Sequence, residues 1–436
     1  MPVSLRRRRP YRSARAIAFC ASIAFLADVS AAQQRPTLGE SLTDRELWRI
    51  FSTMSEDGGT FPSENFVSNE KAYQYVIPTL QRTLTPTGVY LGVGPEQNFT
   101  YIVNLKPRLA IIFDIRRQNA MAHLMYKALF ELSPSRADFV ARLFSRPLSS
   151  PVASSATPAE IFSALSSVAA SDSAFAANWK AIVGQLTSVH HFPLSEADLR
   201  TMRHVFEAFR EAGPNISYSY RLGAPPASTE WLVTFAQLQS LANAEGVNMA
   251  FLATEENYRW LRAFQMRNLV VPVVADFAGP KAIRAVGEYL KGHDAVVTAF
   301  YTSNVEQYLF NGYGGDQAFY RNVASLPLDS TSTFIRSLPA GSAIRSAVTA
   351  LPYATNGVAR IVDSGGVRVI TLSGTDSSGK PTTTRTVLSL PAITVNAVGA
   401  FVSGTAPMSV ILDAFTKGEL TTYQRVITLT KTEGWK

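Results

Sequence analysis

Residues 88–117, GVYLGVGPEQNFTYIVNLKPRLAIIFDIRR, constrain the fold more than any other stretch. A short apolar run ends in Gly92-x-Gly94, a helical stretch follows, and a second apolar run ends in Asp114. That order predicts strand, tight turn, helix and strand, the opening of a parallel α/β unit. Glycines in such a turn let the backbone approach a ligand, and the helix N-terminus offers free N–H groups. The third glycine position of a dinucleotide loop falls near Glu96 or Gln97, and neither is glycine. Asp114 lies 22 residues after Gly92, about where an acid hydrogen-bonds ribose hydroxyls in such folds, roughly 20 residues on. On these residues alone, a tight turn with no ligand stays open.

The alternation resumes further on. LVVPVVADF reads as a buried strand, GPKAIRAVGEYLKG as a helix with Pro280 early and Gly292 at its end, and AVVTAFYTS as another buried strand. Apolar β-branched runs alternating with helices argue for a parallel sheet covered on both faces. Ahead of the first strand, 41–54 predicts a helix with Thr43 and Glu46 at capping-box spacing, and a second helix falls near 70–82. Between the two halves of the sheet, 118–132 is amphipathic and LSSPVASSATPAE is a loop. Helices are expected over 158–212, 229–244 and EENYRWLRAFQMRN, with MAFLAT as a short strand. After about 345 the character changes. VARIVDSGG, VRVITLSG, KPTTTRTVLSL and residues 421–431 read as strands, either a β appendage or an extension of the main sheet. The expected class is α/β: a Rossmann-like, mostly parallel sheet with a helical insertion and a β-rich C-terminal extension.

The 436 residues are 46% hydrophobic and 17% charged, enough for a sizeable core. The formal charge of +8 suggests a nucleic-acid binder until the charges are located. Arg6, Arg7, Arg8, Arg9, Arg12 and Arg15 precede AIAFCASIAFLA and the small residues Ser30, Ala31 and Ala32. A basic region, a short apolar region and a small-residue cleavage site make a secretory signal over 1–32. Its removal leaves 35 Lys+Arg against 32 Asp+Glu, about +3. No basic block interleaved with aromatics remains, so no nucleic-acid partner is expected. Cys20, the only cysteine, falls within that segment, so no disulfide or thiolate metal site is expected in the mature chain. No later run has the length of a transmembrane helix. The expected location is periplasmic or secreted, or cytoplasmic if the start site is misassigned.

Gly92, Gly94 and Asp114 together resemble motif I and the ribose-binding acid of class I S-adenosylmethionine (SAM)-dependent methyltransferases. VVPVVADFAG resembles the third strand of that fold, whose terminal acid, here Asp276, often contacts adenine. HDAVVTAFYTSN resembles the fourth, with Asp294, Val296 and Val297 at its start. The similarity covers about 86–132 and 268–340. It implies a methyltransferase-type domain over 40–345, a helical insertion over about 135–245 of the kind that often carries substrate specificity, and a β-rich extension over 346–436. Glu96 at the turn would repel a pyrophosphate but not SAM, which carries a sulfonium and no phosphate. The pattern also departs from the family: Tyr90 stands where motif I often has an acid, and Ala299, Phe300, Tyr301 and Thr302 stand where amino-methylating members carry Asn/Asp-Pro-Pro-Tyr. GVYLGVGPEQNFTYI, DIRRQN, HLMYKALFEL, NLVVPVVADFAGPKA and FYTSNVEQYLF further resemble a bacterial family known mostly as conserved hypothetical proteins.

Ligands in open parallel sheets bind beyond the carboxyl ends of the strands, which points to Tyr301, Asn304 and Glu306 after the fourth. Glu306 can act as a base and Tyr301 can orient an acceptor; equally, Asn304 and Glu306 can open the next helix. Asp276 can instead cap the helix near Pro280. Arg116 and Arg117 can meet an anion such as the 2′-phosphate of NADP, although paired arginines at a helix start are more often solvated. His190-His191 is a poor metal pair and reads as a loop; His123 reads as a core or boundary residue. No Gly-x-Ser-x-Gly, P-loop or His-Glu-x-x-His pattern occurs. Three functions follow: a SAM-binding, methyltransferase-like protein with Gly92, Gly94, Glu96, Asp114 and Asp276 at the cofactor; an exported, non-enzymatic ligand-binding or scaffolding protein; or an NAD(P)-dependent oxidoreductase. Each takes a small-molecule ligand or none.

Overall fold

Four apolar runs become parallel strands: β1 (Val89–Val93), β2 (Leu109–Asp114), β3 (Val270–Val274) and β4 (Val297–Ser303). β2 and β3 are buried at every residue, as expected for strands covered on both faces. The computed structural model describes residues 37–223, 232–310, 315–339, 358–364, 367–375, 381–388 and 401–433, with Met1. The segment expected to direct export lies outside the described residues, Met1 aside.

A fifth parallel strand, β5 (Leu328–Pro339), pairs with β4. Further along the chain, β6 (Val358–Ser364), β7 (Val367–Thr375) and β8 (Pro381–Leu388) form a separate antiparallel sheet. β9 (Phe401–Pro407) runs antiparallel along β5, and β10 (Lys431–Thr432) pairs with β9. The main sheet is therefore seven-stranded in the order β10-β9-β5-β4-β1-β2-β3. The strand order reverses between β1 and β4, the switch point where such sheets hold ligands. The fold is Rossmann-like, with a mostly parallel sheet.

Helices fill the connections. α1 (Asp44–Met54) starts at Thr43 with the expected capping box and buries Leu47, Ile50, Phe51 and Met54 on one face. α2 (Ile77–Thr83) leads to β1, and α3 (Gln97–Leu105) returns to β2. α4 (Arg117–Leu132) follows β2. Before β3 come α5 (Arg136–Leu143), α6 (Pro158–Ser166), α7 (Asp172–Gly184), α8 (Glu196–Ala212), α9 (Phe235–Ser240) and α10 (Glu255–Met266). α11 (Ala282–Gly292) follows β3, and α12 (Val305–Tyr308) and α13 (Asp316–Ala324) follow β4. α14 (Met408–Thr416) and α15 (Tyr423–Thr428) lie between β9 and β10. Among the described residues no helix is long and apolar enough to cross a membrane.

Three local expectations are corrected. Residues 421–431 are not a strand: the Thr422 side chain caps the Arg425 N–H, and Tyr423, Val426 and Ile427 are buried at helical spacing in α15. MAFLAT is not a strand either, because side chains take its backbone N–H groups. Met249 donates to Gln74 Oε1 (2.6 Å) and Phe251 to Thr100 Oγ1 (3.2 Å). Of the helix expected over 229–244, residues 229–231 lie outside the described residues, and from 232 on it shortens to α9, which the Thr234 and Gln237 side chains cap.

A cleft at the ends of four strands

The carboxyl ends of β1 to β4 open onto one cleft of about 440 Å³. Gly94 and Pro95 follow β1; Asp114 and Arg116 lie at the end of β2; Asp276 and Phe277 follow β3; Tyr301, Ser303 and Asn304 end β4. A loop from Thr60 to Glu70 closes the remaining side. The volume falls within the range of small-molecule sites, about 300–1,000 Å³.

The two glycines do different work. Gly94 has φ +79° and borders the cleft, with nothing nearer to a Cβ than Asn65 Nδ2 at 3.8 Å. Its carbonyl accepts from Asn119 Nδ2 (3.0 Å) and His123 Nε2 (2.9 Å), which pins the turn. His123 is thus a core residue that holds the turn; burial pushes its imidazole down to about 4, so it stays neutral. Gly92 is absent from the cleft wall. A Cβ there would stand 1.9 Å from Asn98 Oδ1, so Gly92 is a packing glycine. Asn98 needs that room: its amide reaches the carbonyls of Val93 (2.9 Å) and Pro95 (2.7 Å), and Tyr90 Oη donates to its Oδ1 (2.8 Å).

Glu96 also lies away from the ligand position expected for it. It is fully buried, and neither carboxylate oxygen has a hydrogen-bond partner. Burial pushes its carboxyl up to about 8, since nearby backbone N–H groups of Glu96 and Ser68 offset desolvation only partly. The expected repulsion of a pyrophosphate therefore does not come from Glu96.

Asp114 borders the cleft, but Arg116 grips it. Arg116 donates from its backbone N–H (2.8 Å) and Nε (3.1 Å) to Oδ1 and from Nη2 (3.0 Å) to Oδ2. Arg116 is 7% exposed, so the solvated arginine pair expected from the sequence is corrected. Its Nη1 also reaches the carbonyls of Ser63 (3.0 Å) and Glu64, fixing the loop against β2. Arg117 turns the other way, onto Asp198 of α8 (2.6 Å). Asp276 does not cap α11, because Glu56 does. Glu56 accepts from the N–H groups of Asp276 (2.8 Å), Lys281 (2.8 Å) and Ala282 (3.0 Å). The Asp276 carboxylate accepts from Ala278 N–H (2.9 Å) and stays exposed at the cleft.

The residues after β4 also divide. Tyr301, Ser303 and Asn304 border the cleft, and Ser303 holds a left-handed backbone at φ +51°. Such strain in a non-glycine residue persists only where the surroundings impose it. Glu306 is not in the cleft wall. Arg336 of β5 donates Nε to Oε2 (2.5 Å) and Nη2 to Oε1 (2.8 Å), and Tyr320 Oη adds a bond to Oε1 (2.6 Å). At 1% exposure Glu306 is a buried structural anion, and its expected role as a base is corrected.

A third acid in the cleft is one the sequence did not single out. Glu70 Oε1 accepts from Tyr301 Oη (2.8 Å) and Ser303 Oγ, and Oε2 accepts from Gln97 Nε2 (3.0 Å). Gln97 also donates to Tyr301 Oη (2.9 Å), and Ser68 Oγ donates to the Gln97 side-chain oxygen Oε1. Burial raises the Glu70 carboxyl above the usual range, and these donors pull against it. Burial and Glu70 together hold the Tyr301 phenol well above its ordinary value, so Tyr301 is a donor here and not a base. Sequence distance hid Glu70: Tyr301 is 231 positions away. Its own segment, between α1 and α2, carries no local pattern that marks it.

His190 lies between two carboxylates. It bridges Asp44 (2.8 Å) and Glu131 (2.6 Å), which ties α1 to α4. Among the described residues no cluster of His, Cys, Asp and Glu has the makings of a metal site.

A seven-stranded, mostly parallel sheet with a cleft at its switch point defines a Rossmann-like α/β protein. The chain matches the family described as a domain of unknown function (DUF7790) over residues 65–153 and 164–363, and it belongs to that family. No curated protein matches it. Among solved structures it is similar to the CcbJ methyltransferase from Streptomyces caelestis, at 16% identity and a TM-score of 0.15. That match covers 38% of this chain and 58% of the other, less than two thirds of its length, and a score at that level says nothing of shared function.

Proposed function

We propose that the cleft binds SAM and that the protein is a methyltransferase-like SAM binder with an unidentified acceptor. The observation that carries this reading is the convergence of Gly94, Asp114 and Asp276 on one cleft at the switch point. The charge of the wall supports it. Three carboxylates, Glu70, Asp114 and Asp276, face a single guanidinium, Arg116. That balance repels a pyrophosphate and favours a sulfonium, which counts against NAD(P). Methyl transfer asks the protein mainly to align nucleophile and sulfonium. Tyr301, Ser303 and Asn304 border the same cleft and are the groups proposed to orient an acceptor. Calorimetric titration of the purified protein with SAM and S-adenosylhomocysteine tests the reading. Micromolar binding is expected, and no binding of either at millimolar concentration would refute it.

One observation favours a second reading. Arg116 spans both oxygens of Asp114 and occupies much of what a ribose acid would offer. With the basic, apolar N-terminus, this suits an exported protein that reuses the fold to hold another small ligand. The mature N-terminus, located by mass spectrometry in periplasmic and cytosolic fractions, separates the two: SAM is a cytosolic metabolite, and cleavage near Ala32 favours the second reading.

A further inference from the structure

Glu70 is a buried acid whose hydrogen-bond partners are all neutral. Its three hydrogen bonds come from an amide, a phenol and a hydroxyl. Each of these groups is arranged to donate, and Gln97 spends both amide hydrogens on Glu70 and Tyr301. This pattern fits the ionised carboxylate. No ion pair among the described residues includes Glu70, and the groups that act on it most strongly are Gln97, Ser303, Tyr301 and Ser337, none of them a cation. A carboxylate 4% exposed without a counter-charge is costly, and a cationic ligand would relieve that cost.

The rest of the wall fits the same ligand. Phe61, Tyr218, Phe277, Tyr301, Tyr308 and Phe401 line the cleft. Aromatic faces attract cations, most strongly where water is excluded. The Glu70 oxygens are already occupied by three donors, which leaves little for a primary ammonium with three N–H groups to place. An onium centre, a sulfonium or a quaternary ammonium, has no N–H to satisfy and needs only charge and apolar contact.

We infer that the Glu70 end of the cleft is an onium subsite, built to take the sulfonium or quaternary ammonium of a small ligand. This rests on the proposed function only in placing a ligand in the same cleft; it does not require adenosine. The onium has two sources, SAM itself or a separate choline-like molecule, and two ligand pairs distinguish them. SAM and S-adenosylhomocysteine differ by the sulfonium. Choline and 3,3-dimethyl-1-butanol have the same shape and differ in charge.

The experiment is calorimetric titration of the wild-type protein with all four, repeated on Glu70→Gln and Tyr301→Phe after their folding is checked by thermal melting. If SAM is the source, it binds about tenfold or more tightly than S-adenosylhomocysteine, and Glu70→Gln erases the difference. If a separate onium is the source, choline is preferred over its neutral isostere by a similar factor. Tyr301→Phe keeps both charge and ring, so it retains the preference. The wild-type comparison stands even if Glu70→Gln does not fold. No preference for the charged member of either pair would overturn the inference, as would a preference that survives in folded Glu70→Gln. Equal binding of SAM and S-adenosylhomocysteine with no choline preference sinks the subsite and leaves the SAM reading intact. Choline preference with no adenosyl binding does the reverse.

Discussion

Glu306 and Arg336 meet in the core through two parallel bonds, Nε to Oε2 and Nη2 to Oε1, with Arg336 fully buried over the Phe334 ring. Removing one member of such a pair leaves the other charged and unpaired. Glu306→Ala should lower unfolding free energy by about 3–5 kcal/mol, measured by urea denaturation. Replacing both residues with methionine should cost less, because neither charge is then stranded. A Glu306→Ala variant as stable as wild type would return Glu306 to the list of free acids.

Glu96 makes stability fall with pH. Its carboxyl is raised from the ordinary value to about 8 in the folded protein. The folded state therefore holds a proton that the unfolded state releases above about pH 4.5. Its contribution is fully present below that value and is lost as pH rises to about 8, by at most roughly 1.4 kcal/mol per pH unit. Glu96→Gln should flatten this slope and raise the melting temperature at pH 8. Melting curves at pH 5 and pH 8 that shift equally in both proteins would disprove it.

The His190 bridge works in the same direction through a different group. Burial lowers the imidazole pKa, but Glu131 and Asp44 outweigh that, and the net shift is upward. A raised histidine contributes stability that is fully present below its unfolded value, about 6.5, and is lost as pH rises through the folded value. Glu131 is shifted downward by His190 and Lys127 against its burial, so its share is lost only in acid. The clasp is strongest between about pH 4.5 and 6.5. His190→Gln should reduce the melting temperature most in that window and least near pH 9; a loss independent of pH would mean that packing, not charge, holds α1 to α4.

Gly92 and Gly94 should respond differently to alanine. At Gly92 the new methyl collides with Asn98, whose bonds hold the whole turn, so a cost of about 1–3 kcal/mol is expected from overpacking. At Gly94 there is room, and the cost is the left-handed backbone, roughly 1–2 kcal/mol. The Gly94 variant also places a methyl at the cleft and should weaken ligand binding, whereas folded Gly92→Ala should weaken it less. Paired denaturation and titration measurements read both effects.

Much of the sheet was legible because β1 to β4 are apolar runs bounded by turn residues. β5 was not, since LDSTSTFIRSLP carries hydroxyls through its first half and a buried arginine in its second. That arginine makes sense only beside Glu306, thirty positions earlier. The cleft was half legible. Residues that end strands, Gly94, Asp114, Asp276 and Tyr301, fall where strand ends must fall. What surrounds an acid is set by chain segments far apart in sequence. The Arg116 grip on Asp114, the Glu56 cap that frees Asp276 and the burial of Glu96 all depend on such neighbours. Glu70 sits in a loop with no periodicity, and no local pattern marks it.

β9 has a consequence for how the protein can be cut. The family match ends at residue 363, while the strand that covers β5 begins at Phe401. A fragment trimmed to the family boundary would leave seven positions of β5, Thr333 to Pro339, without their antiparallel partner. Exposed edges of that kind recruit other strands. Such a fragment should aggregate or dimerise through β5, and the small stretch of chain after the recognised domain is what keeps each molecule from adding itself to the next.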